Sequence, residues 1–220
     1  MDYTASRIIY MIILIVITFI GFRRWKVNPV AFKLGAVLAL VVLIIDGGGI
    51  ISKFMGKPIP GLTTRLLAPT EIALYTGMFI SIIKEKRLRW PVIFTAIAIA
   101  VYVTVYELCR EQNHLLDPLP ILIKCFYYIL LSLLVFREYM IYPNENDILK
   151  EQNFWLISAV LFLNTMVIMY WSSLMLMTSP STRKLGESIM VISNLIYYST
   201  LGYTFYLKPS TTKNFADEVG

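Results

Sequence analysis

The chain has 220 residues, 57% of them hydrophobic and 15% charged, with a mean hydropathy of +0.67 and a formal net charge of +6. Soluble domains carry roughly 25% charged residues, so this chain has too little polar surface to cover a water-soluble globule. The composition excludes that class and predicts an integral membrane protein, whose basic residues, set in short loops between apolar blocks, are topology signals rather than a nucleic-acid footprint.

The N-terminal run MDYTASRIIYMIILIVITFIGF lacks a positive leading region and a small-residue cleavage site. It therefore reads as a retained first helix, 8–22, and not as a cleaved signal peptide. A second block, 30–45, meets Asp46-Gly47-Gly48-Gly49, where the glycines are expected to end the helix flexibly. Further blocks cover 67–83, 91–108, 119–136, 154–177 and 185–207, each long enough, or nearly so, to span a bilayer. The connections are short and rich in Pro, Gly, Lys and Asn, so neighbouring helices should pack antiparallel. The expected fold is all-α: a polytopic membrane protein with one domain over 1–220, built as a single bundle of seven transmembrane helices.

Lys and Arg counts orient the bundle. The loops after helices one, three and five, with the C-terminal tail, hold eleven, against seven on the opposite side. The tightest cluster, Lys84 to Arg89, follows helix three. The positive-inside rule then places the N-terminus outside and the C-terminus in the cytoplasm of a multi-pass inner-membrane protein.

Helix faces separate packed from lipid-facing sides. Gly35, Ala39, Val42 and Asp46 share one face of helix two, and Ala96, Ala100 and Glu107 one face of helix four. Small stripes of this kind let membrane helices approach closely. Ser158, Thr165 and Ser172, with Asn164 alongside, line helix six, and Glu187, Asn194 and Tyr198 line helix seven. Such polar stripes should face the bundle.

The fifth block holds a single lysine, Lys124, inside an otherwise apolar run. A charge at that depth is costly. Either its stem stretches to carry the ammonium to the interface, or it pairs with Glu107 or Glu71. On this topology Asp46, Glu71, Glu107, Lys124 and Glu187 all fall toward the outer end, with Tyr75, Tyr102, Tyr106, Tyr127 and Tyr128 at similar depth. The candidate ligand-binding set is Lys124, Glu107, Glu71, Asp46, Glu187, Asn194 and Tyr106. Glu71 and Glu187 also have a plainer role, as carboxylates in a first helical turn, where they favour the positive end of the helix.

Enzyme signatures are missing: there is no HExxH, GxSxG, Walker or Gly-rich dinucleotide motif. Cys109 and Cys125 do not stand at metal-binding spacing, and one histidine, His114, cannot build a multi-histidine site. Helix seven offers no lysine for a Schiff base. No catalytic residue, cofactor or metal is expected, and the chain does not read as an enzyme.

Asn153-Phe154-Trp155 opens helix six, and Asn194, Tyr197 and Tyr198 lie in helix seven. With these residues, NFWLISAVLFLNTMVIMYWSSLML and ESIMVISNLIYYSTLGYTFYL resemble the closing helix pair of small bacterial seven-helix membrane proteins. Some of those precede sensor histidine kinases as membrane input modules. The resemblance covers roughly a quarter of the chain and carries over no functional residues; it implies an output passed to a separate protein. Together with the polar cluster it leads to a receptor-like or signalling module, sensing a ligand from outside and meeting a partner at its cytoplasmic basic loops. A small transporter or channel would use the same cluster as a substrate or ion site. A third reading is an oligomeric membrane effector or structural subunit, whose partner is a second copy of the chain. The lipid bilayer is a partner in every case and nucleic acid in none.

Overall fold

The computed structural model describes residues 3–55, 61–109, 118–141, 148–174 and 180–207. His114, the cations Lys57, Arg110, Lys208 and Lys213, and the last residues assigned to helix six, 175–177, lie outside these. Among the described residues the fold is all-α. The helices are α1 (Tyr3–Arg23), α2 (Val30–Phe54), α3 (Gly61–Ile82), α4 (Lys86–Cys109), α5 (Leu119–Ile141), α6 (Gln152–Leu174) and α7 (Pro180–Thr204), with a short 3-10 turn at Ile148–Lys150.

Four of these helices, α2, α4, α5 and α6, contain stretches long and apolar enough to cross a membrane. Polar residues inside the helices largely satisfy themselves: Thr18 donates to Leu14 O at 2.7 Å, Ser132 to Tyr128 O at 2.8 Å and Thr104 to Ala100 O at 2.7 Å. A hydroxyl that bonds one turn back needs no partner from water.

Six helices follow one another around a closed ring, α1, α2, α3, α5, α6 and α7, with α7 packed back on α1; α4 lies outside, against α3 and α5. The exterior is apolar. Ile8, Ile12, Ile15, Phe19 and Phe22 on α1, Phe94, Ile97, Val101, Val105 and Leu108 on α4, and Leu185, Ile189, Ile192 and Ile196 on α7 are exposed at helical spacing. Thr18, Thr76, Ser132, Asn164, Ser193 and Thr204 are buried instead. A soluble bundle has the reverse pattern, and this surface is compatible with a lipid bilayer.

The helix bounds differ from the expected ones where hydropathy and hydrogen bonding part company. α2 does not end at Asp46-Gly47-Gly48-Gly49 but continues to Phe54. A Cβ on Gly47 would meet Met11 Cε at 3.2 Å, so this glycine admits α1 rather than stopping α2. In an apolar setting a broken helix would also strand backbone groups without partners. α1, α3, α4 and α7 begin earlier than their apolar blocks, α5 continues through Arg137 and Glu138, and α7 ends at Thr204. Polar residues keep the ladder going beyond the hydrophobic stretch at all of these ends but that of α7, which stops before the apolar Phe205-Tyr206-Leu207.

The hydroxyl stripe of helix six also falls elsewhere than expected. Thr165 and Ser172 are exposed and Ser158 is half-buried, with Thr165 donating to Leu161 O at 2.8 Å. Back-bonding frees such residues from needing a neighbouring helix. Asn164, beside them, is the buried member.

One end of the bundle is laced by side chains that cap helix termini. The buried carboxylate of Glu138 on α5 accepts the backbone N–H groups of Lys84 at 2.9 Å and Glu85 at 3.1 Å, just before α4. Arg89 donates to Ile83 O at the end of α3 at 2.8 Å. Gln152 Nε2 donates to Thr204 O at 2.9 Å and Leu207 O at 2.6 Å, tying the start of α6 to the end of α7. Arg24 donates to Phe205 O and lies 5.3 Å from the Tyr206 ring centroid, joining the ends of α1 and α7. Terminal N–H and C=O groups have no partners within their own helix, so these contacts satisfy groups that lipid would leave bare.

Candidate functional site

Glu71 stands four residues before Tyr75 on α3, and Lys124 four residues before Tyr128 on α5. That spacing puts each charge over a tyrosine, one turn along the same face. Because α3 packs on α5, the two faces meet. Lys124 Nζ donates to Glu71 Oε2, and one turn away the Tyr75 and Tyr128 rings lie 4.5 Å apart. The pair is neither sealed nor free, with side chains 17% and 19% exposed for Lys124 and Glu71.

The tyrosines extend from this point in both directions. The Tyr75 hydroxyl donates to the Tyr197 hydroxyl at 2.9 Å. The Tyr197 ring packs edge-on against Tyr198 at 4.9 Å, and Tyr198 lies 5.8 Å from Tyr10. Tyr10 then donates to Asp46 Oδ2 at 2.8 Å. On the other side the Tyr127 ring lies 5.7 Å from Tyr128, and its hydroxyl donates to Val92 O on α4 at 3.2 Å. Since a phenol has one proton, Thr76 is the donor in its 3.1 Å bond to Tyr127. An unbroken row of tyrosines therefore crosses the bundle from α1 through α7, α3 and α5, reaching α2 at Asp46 and α4 at Val92.

Glu71 is the electrostatic centre of this row, within Coulombic reach of Tyr10, Tyr75, Tyr128, Tyr197 and Tyr198. An unpaired carboxylate among buried rings would be expensive, and Lys124 supplies the compensating charge. The Tyr128 hydroxyl has no hydrogen-bond partner among the described residues, although the residue is only 1% exposed.

The expected site residues divide accordingly. Lys124 and Glu71 meet directly, so the lysine takes Glu71 rather than Glu107, and Asp46 joins through Tyr10. Glu107 is half-buried on the outer helix α4, and Glu187 is exposed on α7. Tyr106 also belongs to α4, its ring 6.1 Å from Tyr102. Asn194 is partly buried and donates to Met190 O at 3.0 Å, within its own helix. The first-turn role of Glu71 and Glu187 does not hold, because α3 starts at Gly61 and α7 at Pro180. Both carboxylates lie too far along for the helix end to act on them.

Tyr10 and Tyr197 are part of the row but are not in the expected set; the repeated spacing of charge and tyrosine four apart, Glu71–Tyr75 and Lys124–Tyr128, signals only the α3–α5 part of the row, and no sequence pattern points to the other two. Cys109 and Cys125 are both free, the first exposed and the second buried. Among the described residues no group of three His, Cys, Asp or Glu side chains is placed to hold a metal ion.

No protein-family model, no curated protein and no solved structure matches this chain.

Proposed function

We propose that the protein is a receptor-like membrane module of seven spans, N-terminus outside and C-terminus in the cytoplasm of an inner membrane. An anionic group of a ligand competes with Glu71 for Lys124, and the tyrosine row carries the change to the opposite end of the bundle, where a partner protein reads it. The observation that carries this reading is the half-open Lys124–Glu71 pair standing over buried, hydrogen-bonded tyrosines. A ligand that replaces Glu71 at Lys124 leaves an unpaired carboxylate one turn from the Tyr75–Tyr128 contact, so it acts on the row at the point where α3 meets α5. Beyond the four long apolar helices, seven spans are supported by the shorter apolar stretches Ile8–Arg23 of α1 and Leu67–Ile82 of α3, which continue as helix into polar turns at Tyr3 and Gly61. Exposed aliphatic stripes on α1 and α7 support it further.

A thermal-shift screen of small carboxylates and phosphates on the detergent-solubilised protein tests the site. At least one compound should stabilise wild type and none should stabilise Lys124→Ala; if no compound separates the two, the site reading fails. Flux of that compound in proteoliposomes, lost in Lys124→Ala, would make the protein a transporter instead. The orientation is tested separately at Cys109, free and exposed at the end of α4. A membrane-impermeant maleimide should label it in intact cells, and labelling only after permeabilisation would invert the topology.

A further inference from the structure

At the end of the bundle away from Lys124, where α3 and α5 finish and α2 and α6 begin, lies a cavity of about 400 Å³. At about 30 Å³ per water it has room for about a dozen waters or one small organic group. Its wall includes Glu138, Glu151 and Gln152, which are only 3%, 4% and 1% exposed. Buried carboxyl and amide groups so far out of water need partners, and the hydrogen bonds here are lopsided. Glu138 accepts two backbone N–H groups, two of the roughly four positions a carboxylate offers. Tyr139, also in the wall, is hydrogen-bonded to Glu151 and Asn153. The Gln152 amide is oriented by its two Nε2 bonds to Thr204 O and Leu207 O, and its buried Oε1 has no donor among the described residues. Among the described residues the wall sets two carboxyl groups and this unmatched oxygen against one cation, Lys84, at the rim.

We propose that this cavity binds a small organic cation rich in N–H donors, a guanidinium or a primary ammonium. The wall has an excess of acceptors from two directions, carboxylate and amide, and a planar guanidinium presents several N–H groups in a fork that matches them. A quaternary ammonium would match the charge but has no N–H to donate to Gln152 Oε1, and among the described residues no three His, Cys, Asp or Glu side chains are grouped to hold a metal ion. The site stands at the opposite end of the bundle from Lys124 and shares no residue with the Lys124–Glu71 pair.

The test is thermal unfolding of the full-length protein in detergent with methylguanidinium chloride, against equal concentrations of tetramethylammonium chloride and sodium chloride. At about ten times Kd, methylguanidinium should raise Tm by about 3 °C, and the two controls should not. Glu151→Gln, which keeps the shape and the acceptor for Tyr139, should lose the shift. Glu187→Gln, the same charge loss at an exposed position on the far end, should keep it. An equal shift with tetramethylammonium, or an undiminished shift in Glu151→Gln, overturns the proposal. If Glu151→Gln does not fold, hydrogen–deuterium exchange on wild type decides. Methylguanidinium must slow exchange at residues 84–85 and 151–153 and leave α1 unchanged, and no slowing there refutes the site.

Discussion

Lys124 on α5 and Glu71 on α3 form an ion pair one helical turn above the contact between Tyr128 and Tyr75 on the same two helices. The pair is largely but not wholly shielded, so its energetics fall between two regimes. Exposed pairs contribute about 1 kcal/mol or less, whereas removing one partner of a buried pair costs about 3–5 kcal/mol because a lone charge remains. Lys124→Met should therefore lower stability by about 2 kcal/mol, and combining it with Glu71→Gln should recover most of that loss. Denaturant unfolding of the two single variants and the double variant in one detergent measures the coupling. Strictly additive losses would show that the contact carries no energy.

The tyrosine row makes a contrasting pair of expectations at hydroxyls that look alike in sequence. Tyr75→Phe removes a buried donor from Tyr197 and should cost about 1 kcal/mol. Tyr128→Phe removes a hydroxyl with no partner among the described residues, so it should be neutral or stabilising by up to about 1 kcal/mol. The same unfolding assay reads both. Equal destabilisation by the two changes would mean that the Tyr128 hydroxyl is bonded after all.

Two helical glycines should respond oppositely to alanine. A Cβ on Gly21 would meet Ala36 Cβ at 2.7 Å, with Phe205 ring atoms at 3.1 and 3.2 Å. A methyl carbon on a neighbouring helix cannot swing aside, so α1 would have to move away from α2, at about 1–3 kcal/mol. Gly48 has no atom within 4 Å of its would-be Cβ and lies within α2. There Gly48→Ala should gain about 1 kcal/mol from helix propensity alone. Thermal melts of both variants test the packing of α1 on α2, which predicts that Gly21→Ala has the lower Tm.

Much of this architecture was legible before any coordinates. The seven apolar blocks each contain the greater part of a helix, because burying backbone in an apolar medium demands local hydrogen bonding and leaves the helix as the simplest answer. Their ends were misplaced for the same reason: hydropathy reports where lipid-like residues stop, while hydrogen bonding continues through Arg137, Glu138 and the glycines after Asp46. Lys124 stood out as a charge needing a partner, and Asp46 and Glu71 were among the carboxylates named with it.

The choice among those carboxylates was not local. Glu71 and Glu107 both stand near the outer end in a one-dimensional depth count, and only the packing of α3 on α5, with α4 displaced outside the ring, gives the lysine to Glu71. The same holds for Glu138, Glu151 and Gln152, ordinary polar residues at helix ends in the sequence, which the fold buries around one cavity. Composition and periodicity determined an all-α chain with apolar helices compatible with a lipid bilayer and one conspicuous internal charge, because solvation by an apolar medium acts on each segment separately. The identity of its partner, the tyrosine row and the acidic cavity were decided by tertiary structure, because they depend on distances between segments that share no sequence neighbourhood.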